Sequence, residues 1–172
     1  RFLAETVATE PVLTGHDNGI ITLNVAEADD AHREQVRQAM HEPYRTLLGH
    51  FRHEIGHYYW DRLVDVPNGP FLEPFRERFG DDRADYAQAL QRHYEEGAPA
   101  DWAEHFVSAY STMHPWEDWA ECWAHYLLLY DGLDTAAAWG LSLARGVPDA
   151  PPVVPRAIAP QRPDIQADIV QQ

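Results

Sequence analysis

The stretch YRTLLGHFRHEIGHYYWDRLV, residues 44–64, carries two patterns at once, and both demand a helix. Leu47, Leu48, Phe51, Ile55, Tyr58 and Tyr59 recur at three- and four-residue spacing, which a helix gathers into one apolar face. His50, His53, Glu54, His57 and Asp61 occupy the remaining arc as a polar stripe, because each residue advances about 100° around the axis. Pro43 suits the first helical position, where a missing N–H costs nothing. The run Val66-Pro67-Asn68-Gly69-Pro70 stops the helix after Val64. The expected element is an amphipathic helix from Tyr44 to Val64 with its apolar face buried.

Within that stripe, His53 and His57 stand one turn apart, so both imidazoles can reach one Zn²⁺ at about 2.0–2.1 Å, with Glu54 directed at a water on the metal. This is the H-E-x-x-H arrangement. Ten histidines make a chance match and a solvated histidine-rich face the competing reading. The context favours the metal: the motif lies on the polar face of a well-formed helix, and Gly56 leaves room beside the ligands.

A catalytic zinc usually takes three protein ligands plus water. A third histidine six residues beyond His57 is absent, since that position is Leu63. Downstream, WEDWAECWAHY (116–126) follows Pro115 and reads as a second helix on which Glu117, Glu121, Ala124 and Leu128 share a face. Glu117 is the candidate third ligand. Glu121, one turn on, and Asp61 are candidates to accept the far N–H of a ligating histidine. Small Ala120 and Ala124 allow a close approach of the two helices. Acidic residues also gather at helix starts for the dipole alone, and only the upstream motif tips Glu117 toward ligation.

The rest of the chain bounds the setting. Its 172 residues, 45% hydrophobic with six Trp, suffice for one domain with a real core. A formal charge of −15 argues against nucleic acid or an anionic membrane surface as partner and suits basic or neutral substrates. All thirteen cationic residues are Arg, which reads as compositional bias. The single cysteine, Cys122, excludes an internal disulfide and fits a reducing compartment, so a cytoplasmic location is expected. There is no apolar run of about 18 residues to span a membrane. The start at Arg1 rather than Met suggests a piece of a longer protein.

A turn at Asp17-Asn18-Gly19 precedes a β-branched strand over residues 20–25, and Asp29 or Asp30 caps a helix through Arg37. Further helices are expected at about 71–79, 82–95, 101–108, 116–130 and 134–144. Six prolines after Gly146 make residues 147–172 an extended tail behind a domain of residues 1–146. The fold class is α+β, mostly helical.

Through EPYRTLLGHFRHEIGHYYWDRLV (42–64), HYEEG (93–97) and FVSAYSTMHPWEDWAECWAHYL (106–127), the chain resembles the gluzincin-type zinc-binding metallopeptidases of bacteria. The longer members carry a zinc ribbon ahead of the peptidase domain. The resemblance implies a zincin-like domain with a small N-terminal sheet, an active-site helix and a second helix carrying the third ligand. It also implies one Zn²⁺ as cofactor and a peptide or protein as substrate. One cysteine cannot build the ribbon, which would belong to the full-length protein. The strand at 20–25 would suit the sheet edge on which such enzymes align an extended substrate.

A more distant similarity, to the catalytic domain of anthrax lethal factor, implies a role for Tyr110, seven residues before Glu117. Its phenol would stabilise the oxyanion or protonate the leaving amine. The expected mechanism has Glu54 take a proton from a zinc-activated water and pass it to the leaving nitrogen. His114 is a possible oxyanion contact, with a capping role as its competitor. Alternative readings are a catalytically silent zinc-binding regulatory or interaction domain, and a zinc hydrolase of a non-peptide amide. The tail could lie across the cleft.

Overall fold

The computed structural model describes residues 1–4, 12, 14–39, 46–143 and 152–156. Three short strands come first: β1 (Phe2–Leu3), β2 (Gly15–Asp17) and β3 (Ile20–Asn24), arranged β1-β3-β2. β2 and β3 form an antiparallel hairpin whose two turn residues, Asn18 (φ 47°) and Gly19 (φ 79°), both take the left-handed backbone that such a tight turn demands. β1 adds in parallel on the other side of β3, with Phe2 opposite Leu23. β3 is therefore the central strand, not the edge expected to align a substrate. Its neighbours in sequence occupy both of its hydrogen-bonding sides, and the edge on the hairpin side is β2.

Among the described residues five helices follow: α1 (Asp30–Ala39), α2 (Leu47–Leu63), α3 (Leu72–Phe79), α4 (Tyr86–Glu96) and α5 (Pro115–Ala138). The expected start of α2 at Pro43 and Tyr44 lies outside the described residues. Thr46 caps α2 through Oγ1, which accepts the Gly49 N–H at 2.9 Å. Asp85 caps α4 in the same way, accepting the Gln88 N–H at 3.0 Å. The helix expected at 101–108 is instead a 3₁₀ turn over Trp102–Glu104, followed by a second over Tyr110–Thr112. Its apolar anchors Trp102 and Phe106 span a single turn, and Asp101 makes no side-chain cap.

The two helices expected at 116–130 and 134–144 are one. The strong formers around Gly132 outweigh its cost of about 1 kcal/mol. The helix ends at Gly140 (φ 63°), where Gly140 N–H donates to Ala137 and Leu141 N–H to Ala136, both at 3.0 Å, the paired bonds of a Schellman cap.

The chain forms two compact units, Arg1–His125 and Tyr126–Gln172. In the second, Leu143 and Val153 form an antiparallel bridge. Apart from residues 152–156, the tail expected at 147–172 lies outside the described residues. In the first unit, Trp60, Val64 and Phe75 form a buried core ringed by Leu72, Phe79, Trp116 and Trp119. Phe75 stacks on Phe79 at 5.0 Å and meets Trp60 and Trp119 edge-on. This aromatic core backs the C-terminal half of α2 and the first turns of α5, so it fixes the two helices that carry the site. The fold is a mostly helical α+β domain of zincin type. No helix among the described residues is long and apolar enough to cross a membrane.

Candidate metal centre

The polar stripe of α2 faces inward. Glu54, Gly56, His57 and Trp60 are its buried residues, whereas Leu48 is 54% exposed and Phe51 39%. The expected burial of the apolar face is thus overturned for most of that face. The cause is α5, which lies against the histidine side. A Cβ at Gly56 would stand 2.9 Å from Ala120 Cα and 3.1 Å from Trp123 Cβ, so only glycine admits this approach without displacement. Trp119 Nε1–H donates to the Gly56 carbonyl at 2.9 Å and pins the crossing.

That crossing brings three ligand-type side chains together. His53 Nε2 lies 3.0 Å from His57 Nε2 and 3.0 Å from Glu117 Oε2, and His57 Nε2 lies 3.5 Å from Glu117 Oε1. Ligands about 2.0–2.1 Å from a tetrahedral zinc stand about 3.3 Å apart, and these separations, taken to one or the other Glu117 oxygen, are close to that. Among the described residues, His53, His57 and Glu117 are the group able to hold a metal. All three are screened from solvent, Glu117 most of all at 2% exposure.

The surroundings fix these ligands unequally. His53 Nδ1 is 2.7 Å from Glu121 Oε1, so Glu121 orients its ring. His57 packs against Trp116, with centroids 3.7 Å apart and the rings tilted by 31°, but its buried Nδ1 has no hydrogen-bond partner. Asp61 does not supply one. It points to the β2 side, where Oδ2 is 3.8 Å from His16 Nε2, and so does not orient a ligand imidazole here.

The electrostatics ask for a cation. Burial works against a charge on His53, yet hydrogen bonds to Glu117 and Glu121 outweigh it and hold its pKa at about 10. Burial likewise favours neutral Glu117 and Glu121, and the same hydrogen bonds to His53 overcome it and keep both carboxyls ionised. His53 is thus set between two carboxylates that favour positive charge at this point. His57, pushed down by burial, offers its Nε2 lone pair to the group. Such a donor set, with positive charge drawn to its centre, fits a divalent ion. Glu54, next to His53 in sequence and itself buried, is raised to about 7 by burial, with His53 opposing and Glu117 adding.

Tyr110 lies on the second 3₁₀ turn with its ring 6.2 Å from that of His53, and burial keeps its phenol neutral. His93 meets it edge-on at 5.5 Å. His93 and Thr112 also line a cavity of about 340 Å³ with Arg92, Glu96 and Met113.

His114 is not available to an oxyanion. Its Nδ1 accepts the Trp116 N–H and its Nε2 donates to the Ala84 carbonyl, each at 3.1 Å, which commits both ring nitrogens to the start of α5. Tyr86 is the residue the sequence did not disclose: its O–H donates to Glu117 Oε1 at 2.9 Å. It lies thirty-one positions before Glu117, outside both motif helices, and no short pattern marks it.

A family model described as "Putative zinc-binding metallo-peptidase" matches residues 1–170. Uncharacterized proteins of Mycobacterium bovis and of Mycobacterium tuberculosis strains CDC 1551 and H37Rv are each 59% identical over 150 residues, which cover 87% of this chain. The matched region spans 44% of each relative's length. No solved structure matches the chain.

Proposed function

The chain belongs to this family of zinc-binding metallo-peptidases, and we propose from that premise that it hydrolyses peptide bonds in the manner of a gluzincin. The observation that carries the reading is Glu54. A purely structural metal site gains nothing from a buried carboxylate set between two ligand histidines on one helix. A zinc ion held by His53, His57 and Glu117 would supply a Lewis acid for the scissile carbonyl and for the attacking water.

Glu54 receives the proton of that water and delivers it to the leaving nitrogen, a task suited to a buried carboxylate beside ligand His53. Tyr110, kept protonated, has a hydrogen to offer the oxyanion or the leaving amine. Glu121 holds the His53 ring in its ligating orientation. The cavity lined by His93, Arg92, Glu96 and Thr112 would take a substrate side chain.

The test is a peptide library cleaved by zinc-loaded protein and read by mass spectrometry, alongside chelated protein and Glu54→Gln. Cleavage by the loaded parent alone is expected. Stoichiometric zinc with no cleaved peptide would favour the silent zinc-binding domain instead, and cleavage by Glu54→Gln at the parent rate would remove Glu54 as the base.

A further inference from the structure

The Glu117 carboxylate has a partner from a third element. Tyr86, the first residue of α4, donates to Glu117 Oε1 at 2.9 Å, while Oε2 faces His53 Nε2 at 3.0 Å. An ionised carboxylate only accepts, so the single proton of Tyr86 is committed to Glu117.

Tyr86 is itself well held. Its ring meets His114 edge-on at 5.4 Å and Trp116 at 5.9 Å. The bond from His114 to the Ala84 carbonyl ties the chain two residues before Tyr86 to the start of α5. The committed nitrogens of His114 thereby acquire a purpose: they register the N-terminus of α4 against the ligand helix. A carboxylate with both oxygens free can rotate or ligate through either one. With Oε1 engaged by a phenol, the carboxylate is held in one rotation, with Oε2 turned to His53.

We propose that Tyr86 is a positioning residue that fixes the Glu117 carboxylate for metal binding. The proposal rests on the metal centre and not on the peptidase reading. Partners one shell out from a metal ligand typically change affinity about 10–100-fold.

The experiment compares the zinc affinities of the parent, Tyr86→Phe and Tyr110→Phe by competition with a chromogenic chelator. The unfolding midpoint of each metal-free protein is recorded as a control for folding. We expect Tyr86→Phe to bind zinc about 10–100-fold more weakly and Tyr110→Phe to stay within about threefold of the parent, with metal-free midpoints unchanged. Parent-like affinity in Tyr86→Phe overturns the proposal. A loss of affinity matched by a fall in its metal-free midpoint overturns it too, because that marks a packing role. A parent that binds zinc but cleaves no peptide sinks the peptidase reading while the affinity comparison still decides the role of Tyr86. A parent that binds no zinc removes both.

Discussion

The inward side of α2 carries Glu54, Gly56, His57 and Trp60, while its outward side carries Leu48, Phe51, Tyr58 and Tyr59, each more than a third exposed. Ordinary patterning would reverse them. Burying histidines and carboxylates is costly unless they are paired, and here most are: His53 with Glu117 and Glu121, and Glu117 with Tyr86. An exception is His57 Nδ1, whose lack of a partner costs about 1–3 kcal/mol. The outward residues give up burial but not all contact. Tyr58 meets His16 of the hairpin, and Tyr59 stacks on Trp123 of α5 at 4.9 Å. The contrast teaches that α2 is oriented by what α5 offers it, a carboxylate pair and a seat for glycine, rather than by its own hydrophobic stripe.

Substitutions on the two sides should therefore differ in kind as well as size. The largest effect falls on rate: Glu54→Gln should lower kcat about 10²–10⁴-fold with zinc content retained, whereas Leu48→Ala should leave kcat unchanged, both measured on the best library peptide. Next is the metal. Zinc at about a hundred times its Kd should stabilise the parent by about 2.7 kcal/mol in denaturant titrations, and His57→Ala should abolish that gain while Phe51→Ser preserves it.

Gly56→Ala should follow, destabilising by about 1–3 kcal/mol despite alanine's better helix propensity, because its methyl meets the Ala120 backbone. Weakest of all, Leu48→Ser should change unfolding free energy by no more than about 0.5 kcal/mol. An outward substitution costing more than Gly56→Ala would invert the comparison and show that the exposed stripe is covered in solution.

Much of this was legible in the sequence, for local reasons. Helical spacing fixed α2 and the first half of α5, and Asn18-Gly19 marked the turn before β3, whereas residues 1–18 read as irregular and the short strands β1 and β2 within them were missed. The four-residue separation of His53 and His57 put their nitrogens together through the geometry of one helix. What escaped depends on contacts between elements. The facing of α2 is set by Gly56 against Ala120, which no periodicity within α2 encodes. Asp61 shares a helical face with His57, yet the hairpin brings His16 to it. Tyr86 reaches Glu117 only because His114 ties the loop before α4 to α5. β3 read as a strand from its composition, but its central place depends on the pairing of a two-residue segment at the N-terminus.

The central claim is that two helices meet to make one metal site from His53, His57 and Glu117. It is tested most directly by the zinc content of dialysed protein, measured by elemental analysis for the parent and for Glu117→Gln, which keeps the shape and removes the charge. One zinc per chain in the parent, with most of it lost from the variant at unchanged fold, is the predicted result. Equal zinc in both, or none in the parent after loading, would contradict it.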